Sequence, residues 1–240
     1  DVVLASLPTP AAVEAAVFGP DGLLEGVRPG AIFVDLSTID PATTRKVGQA
    51  LADRGVRMLD VPVGRGPEAA ARGDLTLMVG GDPEVVEACQ DVLRAIGSRQ
   101  FYCGPLGSGV TVKLINNLIS CSTIALNAEA LVLGAKAGVD PALMVEAIGA
   151  GLARCGVLEM RAPNVLEGNF NPGFMIRLHL KDLRLALEAG HALGVPLPVT
   201  AVVREMYNAL QVAGKGDRDH SAIILLLEDL ARVQVRKKSA

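Results

Sequence analysis

Lys113 and Asn117 stand four residues apart in the segment Gly107-Ser108-Gly109-Val110-Thr111-Val112-Lys113-Leu114-Ile115-Asn116-Asn117. On a helix that spacing puts both side chains on one face, close to the helix start. A cation beside an amide suits carbonyl reduction, in which hydride reaches carbon while a proton or hydrogen bond stabilises the forming alkoxide. A lysine among apolar neighbours, near the positive end of a helix, can have its pKa drawn down into a working range. The other reading of Lys113 is an ordinary solvated helical lysine. Arg65 sits between Gly64 and Gly66, where the backbone can turn tightly and a guanidinium can grip a carboxylate, phosphate or sulfonate through two parallel hydrogen bonds. A solvent-facing loop arginine is the competing account. Lys181-Asp182 is a charged pair inside the apolar run Leu178 to Leu183. It is either a buried helix–helix ion pair or a contact to a cofactor or to the lysine. His179 reads as a packing residue, and His191 and His220 are given no role.

The elements that must position these residues fall into two regimes. Up to Cys103, strand-like and helix-like segments alternate. Strands are expected at Val2–Leu7, Ala31–Leu36, Val56–Val61, Leu75–Val79 and Arg99–Cys103. Helices are expected at Ala11–Phe18, from Asp40-Pro41 to Ala52, and from Asp82-Pro83 to about Ile96, each Asp-Pro pair being a cap followed by a proline at the first helical position. That alternation predicts a mostly parallel sheet with helices on its faces. Three segments, Ser6-Leu7-Pro8, Leu36 to Pro41 and Val61 to Pro67, end strands with small or polar residues, at the edge where open α/β sheets bind ligands. Ser37 and Thr38 serve equally well as caps or as ligand donors. From Val110 to Ala137 a single proline-free helix is expected, roughly 40 Å long, with apolar residues on both faces and burial along much of its length. Further helices are expected at Pro141–Ala153, Val157–Leu166, Leu178–Leu193, Pro198–Ala213 and Ser221–Val233. No strand pattern remains in this half, and the tail Arg236-Lys237-Lys238 reads as a solvated end.

Composition narrows the class. Half of the 240 residues are apolar and a fifth are charged, which excludes an extended disordered chain. A net charge of −3 gives no pull toward nucleic acid or an anionic membrane. The mean hydropathy of +0.37 is high, but charges are expected to interrupt the apolar runs too often for a spanning segment. The four cysteines, Cys89, Cys103, Cys121 and Cys155, form no C-x-x-C pair, so a reducing, cytoplasmic setting is expected. The three histidines are far apart and make no zinc motif. There is no G-x-G-x-x-G fingerprint and no Walker A motif in the sequence. Composition and spacing alone reach an α/β ligand-binding protein with an all-α second domain.

Taken together, these segments resemble the β-hydroxyacid dehydrogenase family, which includes 3-hydroxyisobutyrate dehydrogenase, tartronate semialdehyde reductase and sulfolactaldehyde reductase. The likeness is carried by Ser6-Leu7-Pro8, Asp35 to Pro41, Asp60-Val61-Pro62-Val63, Gly73 to Gly81, Gly107 to Asn117 and Lys181-Asp182-Leu183. The resemblance implies a Rossmann-type domain over 1–107, an interdomain helix over 108–137 and an all-α substrate and oligomerisation domain over 138–240. It implies Lys113 as the general acid in reduction and base in oxidation, with Asn117 and the neighbouring Asn116 at the substrate. Ser37, Thr38 and the Gly64-Arg65-Gly66 loop would hold substrate or the nicotinamide end of NAD or NADP. Leu7 and Pro8 would line the cofactor, Lys181 would approach it, and Asp182 would support the substrate site. No metal is implied, because Lys113 takes the polarising role.

Two departures from the family pattern carry further expectations. The family begins with a strand and a G-x-G-x-x-G-type loop, whereas this chain opens on Val2–Leu7, read as an interior strand. The expected fold is therefore a Rossmann-type domain whose N-terminal part is missing, followed by the long interdomain helix and the all-α domain. The family's common Ser-Gly-Gly after Pro-Val is replaced by Gly64-Arg65-Gly66, which trades a hydroxyl for a cationic fork. The implied activity is NAD(P)-dependent interconversion of a short 3- or 4-hydroxy acid, or hydroxy sulfonate, and its semialdehyde. A 3-hydroxyisobutyrate dehydrogenase or tartronate semialdehyde reductase is the narrower alternative, and a non-catalytic dinucleotide-binding module the alternative from another class. The expected partners are a small anionic aldehyde or hydroxy acid and further copies of the chain, as a homodimer or homotetramer, with no nucleic acid and no membrane.

Overall fold

Val2–Ala5 (β1), Ile32–Asp35 (β2) and Arg57–Asp60 (β3) form from the apolar runs that the sequence marks as strands, and in the computed structural model they pair side by side in parallel. The structure describes residues 1–237. Val63–Gly64 (β4), Thr76–Gly80 (β5) and Arg99–Gly104 (β6) complete a six-stranded sheet of order β1-β2-β3-β5-β4, with β6 on β5. β5 and β6 are parallel, whereas β3 meets β5 antiparallel through Asp60 and Gly80, and β4 pairs antiparallel with β5. The short β4–β5 pairing has no tight-turn signature in the sequence, because Gly66–Ala71 (α4) lies between the two strands.

Helices pack on both faces. Pro10–Phe18 (α1), Leu23–Gly26 (α2) and Pro41–Ala52 (α3) precede β3, and Pro83–Ala88 (α5) and Gln90–Ile96 (α6) precede β6. Asp40 accepts the Thr43 N–H at 2.7 Å and Asp82 the Glu84 N–H at 2.8 Å, each ahead of a proline. The single helix expected from Pro83 to Ile96 is broken at Cys89, which carries a bridge-region backbone. Alternation along β2 divides the core: Ile32 and Val34 pack with Leu59, Leu77 and Val79 on one face, and Phe33 packs with Val47, Leu51 and Met58 on the other.

The expectation that the N-terminal part of this domain is missing is overturned. β1–β6 with α1–α6 build a Rossmann-like dinucleotide-binding domain from residue 2. The expectation rested on the apolar sequence of β1, read as an interior strand, and β1 pairs in parallel with β2 from Val2 against Ile32 onward.

Ser108–Lys136 (α7) is the long helix, 29 residues without proline. Pro141–Ala150 (α8), Gly156–Glu167 (α9), Ile176–Leu193 (α10), Pro198–Val212 (α11), a 3-10 turn at His220–Ala222 and Ile223–Ala231 (α12) follow. The chain divides into two compact units, one of Asp1–Asn116 with Glu188–Leu193, the other of Asn117–Leu187 with the chain from Gly194 on. The second unit is helical and closes around Cys121, Ile124 and Leu131 of α7, Leu183 of α10, Tyr207 of α11 and Ile223 of α12.

Two expectations about α7 change. By length and composition it is apolar enough to cross a membrane, contrary to the expectation that charges interrupt the apolar runs too often for a spanning segment. It is also less buried than expected, since Ile115, Ile119, Leu126 and Leu133 form an exposed stripe. The solvated-tail reading fails for Arg236, whose guanidinium pairs with the buried Glu228 at 2.6 Å and lies over the Phe170 ring, behind the fully buried Val235. Lys238 lies outside the described residues.

Candidate active site

In the first unit, the carboxyl ends of β2 and β3 each carry a fully buried aspartate. Asp35 Oδ1 accepts the Ser37 N–H at 3.0 Å, and Ser37 Oγ accepts the Leu7 N–H at 2.8 Å. The loops leaving β1 and β2 are thereby tied together. The Ser37 hydroxyl is an internal strut, Leu7 is half-buried, Pro8 is exposed and Thr38 is half-buried beside them. Burial pushes the Asp35 carboxyl upward, against the opposing bonds from Ser37.

Asp60, at the end of β3, does the same work for α7. Its carboxylate accepts the Gly107 N–H at 2.8 Å and the Val110 N–H at 2.7 Å. Those are donors of the first turn, which an α-helix cannot satisfy from within. The fit is close. A side chain at Gly80 would strike the Asp60 carboxylate, and one at Gly109 would strike the backbone carbonyls of Met78 and Asp60. Burial raises Asp60 to about 6, more than its backbone hydrogen bonds lower it, and the adjacent Asp35 adds to the rise. Lys113 lies three residues beyond Val110, half-buried on the same helix.

Arg65 has φ +82°, a left-handed conformation that residues with a side chain seldom adopt. Such backbone outliers concentrate at ligand clamps and active sites. Its Nη1 donates to Asp74 Oδ2 at 2.5 Å and to the Asp74 carbonyl at 3.2 Å, with the side chain 38% exposed. Gly64 closes β4, and Gly66, at φ +75°, opens α4. The Ser98 hydroxyl above all, with Arg65 after it, holds Asp74 below the usual carboxylate range.

In the second unit, Asn117 is buried and its Nδ2 donates to Asp182 Oδ2 at 2.6 Å. Lys181 Nζ lies 2.9 Å from the other Asp182 oxygen. Asp182 of the pair in the apolar helix is thus buried and shared with an amide, and Lys181 is half-buried. Asn116, the neighbour of Asn117, is exposed.

Several positioning residues escape a reading of the sequence alone. Asp60 belongs to a segment that carries the family resemblance but has no role there, although an aspartate closing an apolar strand is a signal in itself. Nothing local marks Asp74 as the partner of Arg65. His220, given no role, is buried and bonded through Nδ1 to His179 Nδ1 at 2.9 Å, while His179 Nε2 meets the Asn117 carbonyl at 3.0 Å.

The tied loops past β1 and β2, with Leu7, Pro8 and Thr38, lie at the carboxyl ends of parallel strands, the edge at which open α/β sheets take a dinucleotide. Comparisons with known proteins identify the family. The family model for the NAD-binding region of NADP-dependent 3-hydroxyisobutyrate dehydrogenase matches residues 107–227, and that for the NAD-binding domain of 6-phosphogluconate dehydrogenase matches residues 1–104. The chain is 39% identical to 2-(hydroxymethyl)glutarate dehydrogenase of Eubacterium barkeri over 236 residues, covering 98% of this chain and 78% of that one. It is 39% identical to 3-sulfolactaldehyde reductase of Escherichia coli (strain K12) over 225 residues, covering 93% and 76%. It superposes on the Mycobacterium tuberculosis 3-hydroxyisobutyrate dehydrogenase structure with L-serine at a TM-score of 0.85 and 31% identity, covering 94% and 79%. The chain therefore belongs to the 3-hydroxyisobutyrate dehydrogenase-like family and is an NAD(P)-dependent oxidoreductase acting on a hydroxy acid or its semialdehyde.

Proposed function

We propose that this enzyme reduces a short aldehyde bearing an anionic terminus, with Lys113 as general acid in reduction and general base in oxidation. When bound, the nicotinamide cofactor supplies or takes up the hydride at the carbonyl carbon. Lys113 Nζ delivers the proton to the forming alkoxide oxygen, and reclaims it in the reverse direction. Asn117, with Asn116 beside it, orients the substrate chain, and Asp182 fixes the Asn117 amide. Arg65, on its Gly64–Gly66 platform, binds the anion, with Ser37 as a further substrate contact. Leu7, Pro8, Thr38 and Lys181 hold the cofactor. In domain terms, residues 1–107 bind cofactor, 108–137 form the interdomain helix and 138–240 serve substrate and oligomerisation.

The observation that carries this reading is the Asp60 carboxylate on Gly107 and Val110, which anchors the turn of α7 immediately before Lys113. Support for an anionic substrate comes from the strained backbone of Arg65 and from the two relatives above, whose names specify a glutarate and a sulfonate-bearing aldehyde. The exposed stripe on α7 supports a homodimer or homotetramer. We also infer a cytoplasmic setting, which rests on the spacing of the four cysteines.

The test is oxidation of NADH and NADPH in the presence of 3-sulfolactaldehyde, succinic, methylmalonate and tartronate semialdehydes, and a neutral aldehyde of matched length. Lys113→Met should lower kcat by about 10²–10⁴-fold while NAD(P)H binding, followed by cofactor fluorescence, persists. Full turnover by that variant would overturn the role of Lys113. A neutral aldehyde turned over as well as the charged ones would overturn the anion site. Cofactor binding with no turnover of any aldehyde would favour a binding module.

A further inference from the structure

His179 and His220 are buried in the second unit and belong to no step assigned above. Their hydrogen bonds fix their protons. The Asn117 carbonyl has no hydrogen to give, so the 3.0 Å contact requires His179 Nε2 to carry one. Taken as neutral, His179 presents a lone pair at Nδ1, and the 2.9 Å contact then has His220 Nδ1 donating. His220 Nε2 is left as a bare acceptor, without a hydrogen bond among the described residues and 3.9 Å from Asp219 Oδ1. Burial above all, and then the neighbouring His179, pushes His220 down to about 3, so the ring stays neutral.

The surroundings hold both rings in place. The Tyr207 hydroxyl donates to the His220 carbonyl at 3.0 Å, and the Phe174 ring stands edge-on to both imidazoles. Asp219 Oδ1, the oxygen nearest His220 Nε2, accepts the Ser221 N–H, while Oδ2 accepts the N–H groups of Gly173 and Phe174 and stands 3.6 Å from the Arg161 guanidinium. A single polarity therefore runs from His220 through His179 to the peptide of Asn117. In a helix that carbonyl also serves the ladder bond four residues on, so a second donor fixes the direction of the peptide. The side chain leaving the same residue is the one bonded to Asp182.

We propose that His179 and His220 are positioning residues for the reaction: His220 orders the His179 ring, whose Nε2–H pins the Asn117 peptide and so sets where the Asn117 amide stands for the substrate. The proposal rests on the reading of Asn117 as a substrate-orienting residue. Small displacements of such a group are costly, since about 1 Å can lower a rate by roughly 100-fold.

The experiment compares Asn117→Ala, His179→Phe, His179→Gln and His220→Phe in the full chain, with separate KM values for aldehyde and NAD(P)H and with melting temperatures. His179→Phe should lower kcat/KM for the aldehyde about tenfold, a displacement smaller than 1 Å, with the NAD(P)H KM within about twofold. His179→Gln, which can still donate to the Asn117 carbonyl, should recover most of that loss, and His220→Phe should fall between. Long-range ¹H–¹⁵N spectra of the unmodified enzyme should show His179 as the Nε2–H tautomer and His220 as the Nδ1–H tautomer, a readout that needs no variant to fold. The opposite tautomers, or a cationic ring, overturn the proposal. So does a His179→Phe enzyme that melts lower with kcat and both KM values unchanged, provided that Asn117→Ala impairs aldehyde use. An Asn117→Ala enzyme with normal aldehyde kinetics overturns the reading of Asn117 itself.

Discussion

Asp60→Asn separates two opposed effects on one buried carboxylate. The first turn of α7 offers two N–H donors and the positive end of a helix, which favour the anion. Burial in the sheet edge disfavours it, and burial is the larger effect, lifting the group from 3.8 to about 6. That rise, from 3.8 to about 6, corresponds to about 3 kcal/mol. The sign follows from proton counting. Between about pH 4 and pH 6 the folded chain keeps a proton that the unfolded chain has lost, so folding stability falls as pH rises through that window. The contribution is greatest below about pH 4, gone by about pH 6 and flat beyond it. Asparagine cannot titrate, so the carboxylates that do not interact with Asp60 cancel when variant and parent are compared at each pH, and Asp35 is the interacting neighbour whose titration shifts with the substitution. The advantage of the parent over Asp60→Asn should shrink by about 3 kcal/mol from about pH 4 to about pH 7. For a chain of this size that is a change of roughly 6–12 °C in the difference between melting temperatures. Scanning calorimetry at four pH values reads it directly. A constant difference would mean that Asp60 is not perturbed, and an advantage growing with pH would mean that the helix end outweighs burial.

The anion site has its own test in Asp74→Asn, which removes the carboxylate now held by Arg65 and should lower KM for the charged aldehydes without lowering it for a neutral one. A steady-state comparison in which both fall alike would detach Arg65 from the anion. Gly109→Ala would put a methyl group 2.7 Å from the Asp60 carbonyl oxygen, and thermal unfolding should register a loss at or above the roughly 1–3 kcal/mol of ordinary overpacking. A melting temperature equal to that of the parent would refute so close an approach of α7 to β3.

What the chain encodes locally, it encodes legibly. Hydrophobic period, Asp-Pro starts and the absence of proline between 108 and 136 are properties of neighbouring residues, and they locate the sheet domain, the long helix and the helical second half. Lys113 and Asn117 can be placed on one face because helical spacing is local too. Position within the sheet is different, since it depends on which strands pair. β4 and β5 pair antiparallel although a helix lies between them, and no local turn signature announces that pairing. The same distinction governs the site. Asp60 reaches α7 across 47 and 50 residues of sequence, Asn117 meets Asp182 across 65, and His179 meets His220 across 41. A buried carboxylate or imidazole acquires its role only from the group that folding sets against it. The sequence named the residues able to do chemistry, and tertiary structure decided which buried polar groups hold them in position.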